Sequence, residues 1–284
     1  MIVHGTLYFR VNRKIVRVTP FNVVSALLVI GAALLRGRSG MPAAGYALWV
    51  LALAVQLGSP LIVHPRNLFE LRPAHFAERH SALLLVALGE SVAAIGVGAG
   101  RLAGNSGAEN ARLVAAALLG LALAATLWWI VFGGGDEQAA ERVLTAASSE
   151  RRTSLALSAF FYGNIPLLLG LVAMAAGVGQ AIERSGRLTA GPAGAAVVLG
   201  AGGALFLAGE VVIRRLLRTG PVRLRSAAAV AALATIPIGA LAALEAQVVV
   251  LTVVLAGMLI LEGYLSPAGP ARRAGRRWRG AGAG

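Results

Sequence analysis

Eight runs of almost uninterrupted apolar residues divide this chain, at 20–35, 42–63, 80–100, 112–132, 154–178, 193–213, 226–244 and 247–265. A helix needs about 20 apolar residues to cross the hydrocarbon of a bilayer. Most of the runs meet that length, and the first reaches it by drawing on Val16 and Val18. Only 13% of the 284 residues are charged while 57% are apolar, and the mean hydropathy is +0.76. Soluble domains carry about 25% charged residues, so this chain lacks the polar material to cover a globule of its size. Only helices and closed barrels satisfy their backbone polar groups inside lipid, and runs of this length select the helix. The fold class expected is all-α, a polytopic transmembrane helix bundle of about eight spans.

The net charge of +14 suggests a nucleic-acid protein until the basic residues are placed. Of the 26 Lys and Arg, 20 fall in the segments that eight crossings put on the N-terminal side, and 6 on the other. Lys and Arg collect in cytoplasmic loops, so both termini are expected to be cytoplasmic and no nucleic-acid partner is expected. Three regions follow: a basic N-terminal segment (1–19), a membrane domain (20–265) and a disordered basic tail (266–284) rich in Pro, Gly, Ala and Arg. No cleavable signal pattern stands out. The many intraspan glycines suit close helix approach, which makes a homo-oligomer plausible alongside the lipid bilayer as partner.

The chemistry concentrates in 75–100, HFAERHSALLLVALGESVAAIGVGAG. Glu90 stands near the middle of the third run, where a carboxylate costs about 2.5–3.5 kcal/mol and usually faces a partner or a polar cavity. At about 100° per residue, His75, Arg79 and Glu90 share one helix face, with Glu78 to one side. Glu90 would then lie about 16 Å deeper than the polar mouth formed by the other three. A proton or cation site is expected at Glu90, with Ser91 beside it and His75, Glu78 and Arg79 controlling cytoplasmic access. A plainer alternative has Glu90 in one interhelical hydrogen bond and Glu78 and Arg79 solvating the helix entrance. Gly89, Ala93, Gly96 and Gly100 form a seam suited to packing.

Other polar groups are fewer. Asn164 precedes Pro166, where a kink frees a carbonyl and a polar side chain can line a cavity. Glu210 lies one turn from Arg214, which suits a surface ion pair, and Glu245 and Glu262 at run ends are expected to be solvated. Trp128 and Trp129 suit an interfacial aromatic belt. His75 and His80 are five apart, off the i, i+4 spacing of a helical zinc motif. Cysteine is absent, and no nucleophile elbow, phosphate loop or dinucleotide fingerprint occurs. No enzyme activity, metal or cofactor is expected.

The string from His75 to Gly96 resembles the signature of the bacterial low-temperature-requirement A family of integral membrane proteins, His-x-x-Glu-Arg followed by Leu-Gly-Glu-Ser. Here those residues are His75, Glu78, Arg79, Leu88, Gly89, Glu90 and Ser91. LWWIVFGGGDEQAAER (127–142), YGNIPLLLGLV and GGALFLAGE are similar to further family stretches. Three features depart from the family pattern. The usual opening of the type Glu-Leu-Phe-Phe-Asp is missing, so residues 1–12 are expected to be the remnant of a lost span. Asn164 stands where the family commonly has His, and Val131 where it often has Tyr. The resemblance implies a multi-pass protein of the bacterial plasma membrane. It brings no molecular activity, and a transporter-like or channel-like protein is expected from Glu90. The alternative is a non-transporting component acting through lipid or protein contacts.

Overall fold

The computed structural model describes residues 19–36, 42–63, 73–102, 107–184 and 191–265. Residues 1–18 and 266–284, with the expected N-terminal remnant and basic tail, lie outside the described residues. The elements are α1 (Thr19–Arg36), α2 (Pro42–Val63), α3 (Pro73–Leu102), α4 (Gly107–Phe132), α5 (Asp136–Ala146), α6 (Ser149–Ala156), a π-helical segment (Leu157–Tyr162), α7 (Asn164–Glu183), α8 (Ala193–Leu217), α9 (Arg223–Ala234), α10 (Ile236–Leu241) and α11 (Leu244–Leu265). The described residues are all-helical apart from short connections, as the sequence leads one to expect. Each apolar run falls on a helix or a broken pair of helices. Five stretches are long and apolar enough to cross a membrane: Asn110–Phe132, Arg151–Glu183, Ala193–Leu217, Arg223–Leu241 and Leu244–Leu265. Thr19–Leu35 and Ala43–Ser59 are apolar but shorter.

Two compact units divide the chain. In the first, α1 and α2 pack as a hairpin. Leu48 lies against Gly31 and the Ala32 carbonyl against Gly45, so the small residues let the two backbones approach. Two polar contacts join the pair: Ser25 Oγ donates to the Ala52 carbonyl at 3.3 Å, and Gln56 Nε2 to Asn22 Oδ1 at 3.2 Å.

The second unit is built on α7 against α8. A Cβ on Gly170 would strike the backbone of Phe206, one on Gly202 would come within 3.0 Å of the Gly170 carbonyl, and one on Gly209 within 2.7 Å of the Gly163 carbonyl. Leu167, Leu171, Met174, Leu199, Phe206 and Leu207 fill the remaining interface and are buried. α3 packs on α7 through a stripe at i, i+4 and i+7 spacing, Leu84, Leu88, Ser91 and Ile95. The opposite side of α3 presents Leu83, Leu85 and Val86 outward. Apolar side chains on outer faces are expected where lipid, not water, is the solvent.

Two helices break where the sequence supplies the means. The π-helical segment ends at Gly163, whose N–H donates to the Ala159 carbonyl, and Pro166 follows inside α7. Between α9 and α10 the chain breaks at Thr235, two residues before Pro237. There Thr235 Oγ1 donates to the Ala232 carbonyl at 2.7 Å.

Candidate functional site

The start of α5, the ends of α8 and α11 and the first turn of α9 bring five charged side chains together in the second unit. Arg225, in the first turn of α9, is the most deeply buried at 1% exposure. Its Nη1 donates to Glu210 Oε2 of α8 at 2.6 Å, and its Nε and Nη2 donate to the Glu262 carboxylate of α11 at 3.0 and 3.1 Å. Arg214, one turn along α8 from Glu210, donates from Nε and Nη2 to Asp136 Oδ2 at 2.9 and 2.6 Å. It reaches Glu262 and the Pro221 carbonyl only at 3.5 Å. Two arginines thus serve three carboxylates, and Glu262 Oε1 bridges them. Charged groups survive in such places only when paired and hydrogen-bonded.

The chain path explains the assembly. Asp136 starts α5 immediately after Gly133, Gly134 and Gly135, and Gly135 has φ +69°, a left-handed conformation that glycine adopts without strain. That turn carries the carboxylate back over the end of α4 onto Arg214. Gly209, by admitting α7 closely, holds Glu210 inside the unit rather than at its rim.

Two cavities flank this cluster. The inner one, about 60 Å³ for the centre of a water-sized sphere, is lined by His80 and Ser81 of α3, Phe160 of the π-helical segment, Asn164, Glu210, Asp136, Arg214 and Thr219. Two of its lining residues carry a buried side-chain atom without a hydrogen-bond partner, Asn164 Nδ2 and Thr219 Oγ1. A single-turn π-helix often marks a functional site, and this one presents Phe160 to the cavity, its ring 5.4 Å from that of His80. The outer cleft, about 250 Å³ by the same measure, is lined by Trp129, Gly133, Gly134, Gly220, Arg225 and Glu262, and shares Asp136, Arg214 and Thr219 with the inner cavity. Trp128 and Trp129 are exposed at this end of α4, where an aromatic belt marks the membrane–water boundary.

The residues singled out by sequence are spread more widely. Asn164 belongs to the inner cavity and is buried. Ser91 is buried against α4 and α7, its Oγ donating to the Ala87 carbonyl of its own helix at 2.8 Å. Glu90 is exposed on the outward stripe of α3 that carries Leu83 and Val86, and no hydrogen bond or ion pair among the described residues reaches it. Glu78 and Arg79 are exposed at the start of α3. His75 lies in α3, but its side chain is outside the described residues. The structure therefore brings Asn164 together with Glu210 and does not bring Glu90 to them.

Two further residues depart from the expectation. Glu210 is buried and pairs with Arg225, not with Arg214 at a surface, because Gly209 seats it between helices. Glu262 is taken up by Arg225 and Arg214 instead of by water. Arg225 and Asp136 were not singled out at all. The signal available was that Asp136, Glu210, Arg214, Arg225 and Glu262 all lie at span ends that the distribution of Lys and Arg assigns to one side. Among the described residues, no group of three or more His, Cys, Asp or Glu is arranged to hold a metal ion.

No curated protein and no solved structure matches the chain. The family model for the bacterial low temperature requirement A protein (LtrA) matches residues 2–260. That match spans the Leu-Gly-Glu-Ser stretch of α3 and, of the charged cluster, Asp136, Glu210, Arg214 and Arg225, and the chain belongs to the LtrA family.

Proposed function

We propose that this multi-pass membrane protein is transporter-like or channel-like, moving a proton or a small cation across the bacterial plasma membrane without enzymatic chemistry. The single observation that carries the reading is the carboxylate of Glu210. It is held within a span, paired on one side with Arg225, and borders a cavity that contains two unsatisfied polar groups. Ionisable residues inside spans mark ion or proton pathways more often than they serve packing. Glu90, at mid-length of α3, enters the proposal as a second acceptor. His75, Glu78 and Arg79 form the polar mouth of that helix. Eight crossings with both termini cytoplasmic complete the arrangement.

The test is ion and proton flux in proteoliposomes containing the native chain, Glu210→Gln or Glu90→Gln. Loss of at least tenfold in Glu210→Gln is the expected result. Flux unchanged by Glu90→Gln removes Glu90 from the pathway, and absence of any flux in the native chain overturns the transport reading.

The exposed face of α3 favours a second reading, in which the protein acts by association with a second copy of itself. Gly89, Glu90, Ala93 and Gly96 are all exposed, and a Cβ on Gly89 or Gly96 would meet nothing within 4 Å. A carboxylate on an apolar outward stripe costs about 2.5–3.5 kcal/mol in lipid, a penalty that a polar partner removes. Because the chain has no cysteine, Ala93→Cys introduces a single thiol. Oxidative cross-linking of that variant to a dimer in membranes supports this reading, and failure to cross-link at this and neighbouring positions rejects it.

A further inference from the structure

The inner cavity has a lining that discriminates between a proton and a metal cation as its occupant. We propose that it is a hydrated proton-relay site, in which ordered water carries a proton between Asp136 and Glu210 and the lining refuses metal cations. The proposal rests on the transport reading above and names its cargo.

Space comes first. A water needs about 10–15 Å³ of volume measured this way, so a cavity of about 60 Å³ has room for several. Its walls also call for water. Asn164 is 5% exposed and its Nδ2 has no acceptor, while the Thr219 hydroxyl nearby is also unpartnered. Buried polar groups are nearly always hydrogen-bonded. A water accepts from the amide and donates to a carboxylate, joining the two.

The carboxylates are each half used. Both hydrogen bonds from Arg214 go to Oδ2 of Asp136, and the bond from Arg225 goes to Oε2 of Glu210. Among the described residues no hydrogen bond reaches Asp136 Oδ1 or Glu210 Oε1, and both residues line the cavity. One oxygen of each acid is thus fixed by an arginine while the other stays available. A proton on Asp136 Oδ1 passes to a water as that water releases another to the next, and the last is received by Glu210 Oε1. Each water gains one O–H bond and breaks one, so the chain of waters ends neutral with its orientation reversed.

Charge and lining choose the proton. Asp136, Glu210 and Glu262 face Arg214 and Arg225, three negative groups against two positive. One added proton makes the cluster neutral. A metal cation would do the same for charge, but it requires a shell of oxygen ligands. Among the described residues no group of three or more His, Cys, Asp or Glu is arranged to supply that shell, and Arg214 borders both the cavity and the neighbouring cleft. A guanidinium in the lining repels cations electrostatically, whereas a proton crosses by exchange through Asp136, which Arg214 itself positions.

The experiment uses the full chain in proteoliposomes under a potassium diffusion potential, with proton movement read by a trapped pH dye and sodium by radiolabel. The expected result is proton uptake without sodium uptake, with the proton rate reduced at least tenfold in Asn164→Leu and kept within about threefold in Asn164→Ser. Neither substitution touches an ion pair, so folding is not at stake as it is for Glu210→Gln. Hydration is read separately from Ser81→Cys, whose single thiol lines the cavity. Modification by a small water-soluble thiol reagent is expected, and is blocked when Asn164→Leu is added. Sodium moving as fast as protons overturns the proton-selective site while leaving transport intact. Proton flux that ignores Asn164→Leu, with Ser81→Cys unreactive, means a dry cavity and overturns the relay alone. If no ion moves, the transport reading fails and this proposal falls with it.

Discussion

Arg225 and Glu210, fifteen residues apart in sequence, meet at 2.6 Å across the packing of α9 on α8, and the arginine end of that pair is sealed from solvent. Its remaining nitrogens are held by Glu262 and, at 3.4 Å, by the Ile130 carbonyl of α4. One guanidinium therefore ties four helices together at one end of the second unit.

Removing that tie leaves charge without a partner. Breaking a buried pair from one side costs about 3–5 kcal/mol, because the other ion stays buried. Arg225→Met is expected to lower the thermal midpoint in detergent more than any other single substitution in the cluster. The double variant Arg225→Met with Glu210→Gln recovers part of the loss, since it removes the orphaned carboxylate as well. A double-mutant cycle on midpoints checks this, and strictly additive losses would show that the two side chains do not interact.

Much of this architecture is legible in the sequence, because the apolar runs that define spans are long and their periodicity is local. The break before Pro237 and the distortion around Pro166 follow from the same local rules. The charged cluster is less legible. Glu210 and Glu262 sit at span ends, where a single sequence cannot distinguish a solvated carboxylate from one swallowed by a neighbouring helix. For Glu262 the deciding contacts are Arg225 and Arg214, and beside Glu210 the close approach of Gly209 to Gly163 is a property of the packed pair and not of either segment. For Glu90 the helix position follows from sequence, but the direction it faces depends on which stripe of α3 packs. Leu84, Leu88 and Ile95 packed, and turned Glu90 outward.

The interface of α7 and α8 yields a second prediction. A methyl at Gly170 collides with the Phe206 backbone and the Gly202 carbonyl, neither of which can rotate away. Gly170→Ala is expected to destabilise by about 1–3 kcal/mol, the usual cost of overpacking. Gly257→Ala on α11 meets nothing within 4 Å, and should be neutral or slightly stabilising because alanine is the better helix former. Equal effects from the two substitutions would mean that backbone approach at Gly170 is not what holds the helices.

Gln247 gives a third. Fully buried on α11, it donates from Nε2 to the Ala196 carbonyl of α8 at 2.9 Å and to Thr235 Oγ1 at the α9–α10 break at 3.2 Å. Interhelical hydrogen bonds in membranes are worth about 0.6 kcal/mol on average and at most about 1.7. Gln247→Leu should therefore cost about 1 kcal/mol. Gln247→Glu should cost more, because an ionised carboxylate cannot donate to either acceptor and brings a charge into an apolar core. Thermal midpoints of the three chains settle the order, and a glutamate variant as stable as the leucine one would contradict it.

The last prediction concerns sidedness, on which access to the charged cluster depends. Arg214, Arg225, Asp136 and Glu262 lie at the ends of their helices adjoining the segments 133–153, 214–225 and 266–284, which together hold 13 Lys and Arg. The asymmetry of basic residues leads to the expectation that this end faces the cytoplasm. Arg215, exposed near the end of α8, lies on that side, while Glu183, exposed at the end of α7, lies on the other. In a chain without native cysteine, Arg215→Cys and Glu183→Cys are each unique thiols. A membrane-impermeant maleimide applied to intact cells should label Glu183→Cys at once and Arg215→Cys only after permeabilisation. The reverse pattern would turn the bundle over, and the outer cleft beside Trp129 would then take up its ion from outside the cell. Labelling of both in intact cells would mean that α8 does not cross, and with it the membrane position of Glu210 would be lost.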